Sequence, residues 1–175
     1  AARQLREAIA DKSGVSIDEV FVGNGSDEVI KLLAEAFLLP EDEVMFADVT
    51  FSEYAYATRL LGATEVVVPV RAETHDLEAM AKRITPRTKI VYVCNPNNPT
   101  GTYVDAQALQ DFLTAIPEGV LVVLDEAYVE YVDTSDFPDA IALLQQGWPV
   151  ATMRTFSKIY GLAGLRVGYI IAPRP

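Results

Sequence analysis

The chain has 175 residues, half of them hydrophobic, and a formal net charge of −11. That is one domain's length with enough apolar material for a full core, and the acidic balance argues against nucleic acid as a partner while leaving room for a local basic pocket. No run of about 18 apolar residues offers a membrane span, and no charged-then-apolar leader opens the sequence.

Strands and helices alternate along the chain. The opening residues read as a helix with Leu5, Ala8 and Ile9 on one face. Strand candidates follow at residues 20–22, 43–47, 65–70, 89–94, 120–124, 150–155 and 167–172. Most are continuous apolar runs rather than alternations, as suits strands buried on both faces of a parallel sheet. Helices are expected between them. Residues 26–39 carry Val29, Ile30, Leu33 and Phe37 on one stripe, and residues 51–61 carry Tyr54, Ala55, Thr58 and Leu61. Residues 76–84 and 104–116 repeat apolar positions at i, i+3, i+4 and i+7, and a further helix falls within 137–146. Repeated β-α-β units predict a three-layer α/β/α sandwich around a mostly parallel seven-stranded sheet. The helical opening, and the stop at Pro173-Arg174-Pro175 directly after a strand, read as a piece of a longer protein.

In such sheets ligands bind at the carboxyl ends of the strands, and four motifs fall there. Gly23-Asn24-Gly25-Ser26-Asp27-Glu28 links a strand to a helix. Free N–H groups and the positive dipole end of that helix can hold a phosphate; the alternative is a tight turn with Ser26 or Asp27 as N-cap. Glu28 stands where a dinucleotide fingerprint needs its third glycine. Asn95-Pro96-Asn97-Asn98-Pro99-Thr100-Gly101 is a proline-stiffened loop whose amides can donate to an oxygen anion. Asp125-Glu126-Ala127-Tyr128 closes the most apolar strand, and a carboxylate at that depth needs a cation or several donors. The run Thr155-Phe156-Ser157-Lys158 places a lysine among small hydroxyls, with Arg166 eight residues on. A lysine that forms a Schiff base needs a semi-buried, electropositive site, because the free amine is the nucleophile. Phe51 could stack on an aromatic ligand or simply start a helix in the core. One cysteine, Cys94, excludes an internal disulfide and fits a reducing, cytoplasmic setting. One histidine, His75, leaves little room for a metal site or a Ser-His-Asp triad.

Together these motifs resemble the fold-type I pyridoxal-phosphate aminotransferases. The wording Gly25-Ser26-Asp27-Glu28 and Lys158-Ile159-Tyr160-Gly161-Leu162-Ala163-Gly164-Leu165-Arg166 is similar to the histidinol-phosphate aminotransferases. The resemblance runs over nearly all of the chain and implies that residues 1–175 are the cofactor-binding large domain. It implies that Lys158 carries pyridoxal 5'-phosphate (PLP) and shuttles a proton, and that Asp125 pairs with the pyridinium nitrogen. Asn98 and Tyr128 would bind the cofactor's phenolate oxygen. Gly25, Ser26 and Asp27, with Thr155, Ser157 and Arg166, would hold its phosphate, and Phe51 would lie on its ring face, where the family often has tyrosine. The implied reactants are a small-molecule amino donor and a 2-oxo acid, namely histidinol phosphate and 2-oxoglutarate, in a homodimeric parent. The family's substrate-carboxylate arginine and N-terminal arm lie outside this chain. Two alternatives stand beside it. One is another class I/II aminotransferase for aromatic amino acids, or a related PLP decarboxylase; the other is a catalytically incomplete domain used for binding or assembly.

Overall fold

The computed structural model of the chain describes residues 2–174; Pro175, in the terminal Pro-Arg-Pro noted above, lies outside them. Strands Val20–Gly23 (β1), Glu43–Ala47 (β2), Thr64–Val68 (β3), Thr88–Cys94 (β4), Leu121–Asp125 (β5), Val150–Thr155 (β6) and Gly168–Ile171 (β7) form one sheet in the order β1-β7-β6-β5-β4-β2-β3. Neighbours from β3 to β6 run parallel, and only β7 is antiparallel to both of its partners. The carboxyl ends of β1, β4, β5 and β6 therefore meet on one edge, and β7 starts on that edge.

Helices cover both faces. They are Arg3–Ser13 (α1), Gly25–Phe37 (α2), Glu53–Leu60 (α3), Leu77–Ala81 (α4), Ala106–Thr114 (α5) and Ala140–Gln145 (α6). Strand side chains alternate between faces, so two apolar clusters form. One joins Ile9 of α1, Met80 of α4, Leu109 and Phe112 of α5 and Leu144 of α6 to Val91, Val93, Val122 and Leu124. The other joins Val29, Ile30 and Ala34 of α2 and Tyr54 and Ala57 of α3 to Ile90, Tyr92, Val123 and Met153. This is the expected three-layer sandwich.

The departures from expectation are local. Phe37 is exposed because α2 ends there; Leu38 turns extended and buries in its place. Ala8 is exposed, and α1 buries Ile9 and Ala10 instead. Helix α3 begins at Glu53, which leaves Phe51 in the preceding loop. Asp76, Asp105 and Asp139 fix the starts of α4, α5 and α6 with side-chain bonds to first-turn amides, and α4 and α5 end at Ala81 and Thr114, short of the residues 84 and 116 that the apolar periodicity reaches. Short 3₁₀ turns at Val129–Tyr131 and Ala163–Leu165 were not legible as elements. No helix among the described residues is long and apolar enough to cross a membrane.

Candidate active site

A cavity of about 230 Å³ opens on the edge where the strands end, and Ser26, Asp27, Phe51, Asn98, Asp125, Tyr128, Thr155, Ser157, Lys158 and Arg166 all line it. Every side chain expected from the motifs thus converges on one space. Gly25, which has no side chain to offer, lies beneath the Arg166 guanidinium.

One end of the cavity is built for an anion. Gly25 opens α2 with φ 80°, and a Cβ there would sit 3.0 Å from Arg166 Cζ and closer still to Nη2. The amides of Ser26 and Asp27 are in the first turn of α2, where the helix supplies no carbonyl partner. Arg166 is held in the left-handed region at φ 51°, a strained conformation for a residue with a side chain. Its Nη2 donates to Asp27 Oδ2 at 2.7 Å and its Nη1 to the Ala163 carbonyl at 3.3 Å. The fork is aimed at the helix end, with Asp27 as its present counter-ion. Beside it, Ser157 N donates to Thr155 Oγ1 (3.1 Å), and Thr155 Oγ1 donates to Ser157 Oγ (3.0 Å). Thr155 Oγ1 also reaches the Val167 carbonyl at 3.4 Å, so the two hydroxyls and that carbonyl form one small network at the cavity wall.

Asp125 lies deep in the cavity as the last residue of β5, almost fully buried. Tyr54 Oη donates to its Oδ2 at 2.6 Å, and the Ala127 amide donates to Oδ1 at 3.2 Å. Burial pushes this carboxyl up to about 6, against the pull of the Tyr54 hydroxyl and the Ala127 amide. A buried carboxylate with only two donors would gain from a cation.

The asparagine loop divides its labour. Asn95 is spent on the Val104 backbone, donating from Nδ2 to the carbonyl and accepting the amide at Oδ1. Asn97 is spent on Val49, Thr50 and Thr100. The half-buried Asn98 side chain makes no hydrogen bond among the described residues and faces the cavity. Of the three amides, Asn98 alone is left for a ligand.

Lys158 Nζ sits 5.1 Å from the centre of the Tyr128 ring, in cation–π range. The expectation of a semi-buried lysine needs correcting: Lys158 is exposed, because it stands in the loop after β6 at the mouth of the cavity. Phe51 is half-buried and meets Tyr54 edge-on, with ring centroids 5.7 Å apart.

Three residues of the site carried no motif. Tyr54 reads in sequence as part of a helical core stripe, yet its hydroxyl reaches Asp125. Cys94, at the end of β4, contributes to the cavity floor, where burial pushes its thiol up to about 12 and leaves it unreactive. Gly168 lets the first turn of α2 rest directly on β7; a Cβ there would lie 2.6 Å from the Gly25 carbonyl carbon. A larger groove of about 530 Å³ lies between α4 and α5, away from these groups. Its charged lining is mostly carboxylate, and no lysine or strand end faces it, so the chemistry belongs to the smaller cavity.

The sheet order, the anion cradle, the buried carboxylate and the lysine at the strand edge define an α/β domain with a polar ligand pocket at the carboxyl ends of its strands. The chain belongs to the class I and II aminotransferase family, whose sequence profile matches residues 1–175. It is 54% identical over 169 residues to histidinol-phosphate aminotransferase of Moorella thermoacetica, covering 96% of this chain and 44% of that protein. It is 50% identical over 171 residues to aromatic amino acid aminotransferase of Thermobifida fusca, covering 98% of this chain and 48% of that protein. Among solved structures, it matches histidinol-phosphate aminotransferase from Sinorhizobium meliloti in complex with pyridoxal-5'-phosphate, with a TM-score of 0.89 and 31% identity. That match covers 97% of this chain and 46% of the other. The chain spans about half the length of the curated relatives it matches.

Proposed function

We propose that this chain is the PLP-binding large domain of an aminotransferase that transfers the amino group of histidinol phosphate to 2-oxoglutarate. One observation carries the reading: a single cavity presents an anion cradle, a buried carboxylate and a lysine amine together. Identities of about half to histidinol-phosphate aminotransferases support the choice of donor. The donor set fits PLP. Arg166 and the α2 amides suit a phosphate, Asp125 suits a pyridinium nitrogen, and Asn98 with Tyr128 suits a phenolate oxygen.

When bound, PLP supplies an aldehyde and a ring that takes up the electron pair released at the substrate's α-carbon. Lys158 would hold the cofactor through its amine, and that amine is the group placed to move a proton to and from the substrate's α-carbon. Asp125, ionised, would be the counter-ion that favours a protonated ring nitrogen. Asn98 and Tyr128 would bind the phenolate oxygen, and Phe51 would pack against the ring and help exclude water. Thr155, Ser157 and Arg166 would hold the phosphate at one end of the cavity that Lys158 and Asp125 also line.

A homodimeric parent fits the exposed apolar side chains beside the site, among them Ile159, Leu162 and Leu165. A reducing cytoplasm fits the single buried thiol of Cys94. The relative from Thermobifida fusca favours a second reading, transamination of aromatic amino acids on the same site.

The test is PLP titration of the chain, borohydride reduction and peptide mapping. A pyridoxyl group on Lys158 is expected; labelling elsewhere, or none, refutes the cofactor assignment. A donor screen on the full-length protein then separates the two substrates: preference for an aromatic amino acid over histidinol phosphate would overturn the first.

A further inference from the structure

Tyr54 comes from α3, on a different element from every motif, and is fully buried. Its hydroxyl ends 2.6 Å from Asp125 Oδ2. Its ring cannot swing away. It stacks on Tyr92 with centroids 4.3 Å apart and planes 6° off parallel, meets Phe51 edge-on, and lies tilted beside Phe46 with centroids 6.3 Å apart. The backbone behind it is tied as well, since Thr58 Oγ1 donates to the Tyr54 carbonyl at 2.7 Å. With the Ala127 amide on Oδ1, both oxygens of Asp125 are held, so the carboxylate plane is set before any ligand arrives.

We propose that Tyr54 is a positioning residue: its hydroxyl orients the Asp125 carboxylate and favours its ionised form, so that Asp125 is ready as counter-ion to the cofactor's ring nitrogen. This rests on the role given to Asp125 above. The physical reason is a conflict at Asp125. Burial drives the group towards its neutral acid, which is no counter-ion, and a donor on the carboxylate opposes that drive. Tyrosine supplies the donor without a competing positive charge. It also couples the two walls of the ring site, because the same ring that holds Asp125 supports Phe51.

The other groups facing Asp125 are Tyr92 and Cys94 from β4, its chain neighbour Glu126, and Lys158 across the cavity. Tyr128, Arg166 and Asp27 share the same space. Among the described residues the Tyr92 hydroxyl is buried without a hydrogen-bond partner, which makes it a control: same chemistry, same neighbourhood, no bond to Asp125.

The experiment is a carbon-13 NMR titration of aspartate carboxyls in the cofactor-free chain, with the Asp125 signal assigned by its loss in Asp125→Asn. Tyr54→Phe keeps the three ring contacts and removes only the donor. It should move the Asp125 midpoint upward by about one pH unit or more, the size expected for a hydrogen bond to a charged group. Tyr92→Phe should leave the midpoint in place. A 3-fluorotyrosine at position 54, a stronger donor, should move it downward, and this arm decides the matter if Tyr54→Phe does not fold. An unmoved midpoint in Tyr54→Phe or with fluorotyrosine, or an equal shift in Tyr92→Phe, overturns the proposal. A chain that titrates as expected yet takes up no PLP would sink the cofactor reading while leaving the hold of Tyr54 on Asp125 standing.

Discussion

Replacing Gly168 by alanine tests how the anion cradle is built. Gly168 opens β7 and lies in register between Gly23 of β1 and Thr155 of β6, with the first turn of α2 resting on it. An added Cβ would stand 2.6 Å from the Gly25 carbonyl carbon, 3.1 Å from Gly25 Cα, and closest to the Ser26 amide nitrogen. Ordinary contact begins at 3.4 Å, so the shortfall against the carbonyl carbon is 0.8 Å. All three obstacles are backbone, and no rotamer change relieves them. Either α2 lifts from the sheet by about 1 Å or β7 parts from its neighbours. Overpacking of this kind costs about 1–3 kcal/mol, and the backbone obstacle places Gly168→Ala towards the upper end. For a chain of this length that lowers the melting temperature by roughly 5–10 °C. The displaced amides are those of the cradle, so PLP affinity should fall about tenfold or more, the loss expected for one hydrogen bond to a charged group. Thermal melts and an absorbance titration with PLP read both effects. Gly164→Ala, with no atom within 4 Å of its Cβ, is the matched control for stability. A Gly168→Ala chain that melts within a degree of the wild type and binds PLP equally well would refute this account of the cradle.

Asp125 should shape the pH dependence of stability. Its folded value of about 6 lies above its unfolded value near 3.8, so between those pH values the folded chain holds a proton that the unfolded chain has released. Stability from this group is therefore full below about pH 4, falls as pH rises to about 6, and is flat above; the loss is roughly 3 kcal/mol. Asp125→Asn should remove that slope and raise stability at pH 7 in urea unfolding; a wild-type slope in the variant would count against the buried-acid description. A second prediction concerns Glu126, almost fully buried, which accepts from Thr152 Oγ1 at 2.6 Å and Arg154 Nε at 2.8 Å. Arg154→Met should cost about 3–5 kcal/mol at pH 7 by stranding that carboxylate. Part of the loss should return on acidification, as Glu126 takes up a proton, or on adding Glu126→Gln; a variant as stable as the wild type at pH 7 would show that the pair is not needed.

Much of the site was legible because its chemistry sits at chain positions with a local signature. Asp125 ends an apolar strand, Asn98 lies in a proline-stiffened loop and Lys158 follows a strand among hydroxyls, so residue type and strand-end position together marked each one. The order of strands and helices was equally plain, since continuous apolar runs and i, i+3, i+4 stripes are consequences of burial on two faces and on one. Tyr54 was not legible as a site residue. A tyrosine in a helical stripe has the spacing of a core residue, which it also is, and only the packing of α3 across β4 carries its hydroxyl to Asp125. Gly168 looks like any strand glycine until the antiparallel insertion of β7 puts the α2 backbone on top of it. The Asp27–Arg166 pair joins residues 139 apart in sequence, and the exposure of Lys158 depends on where the β6 loop stands. By itself, then, the sequence determined which residues could do the chemistry and on which elements they lie, because local pattern encodes burial and chain direction. Which of them meet, which amides are spent on scaffold and which donor steadies the buried carboxylate were decided by the tertiary structure, because those contacts join elements whose separation in sequence leaves no periodic trace.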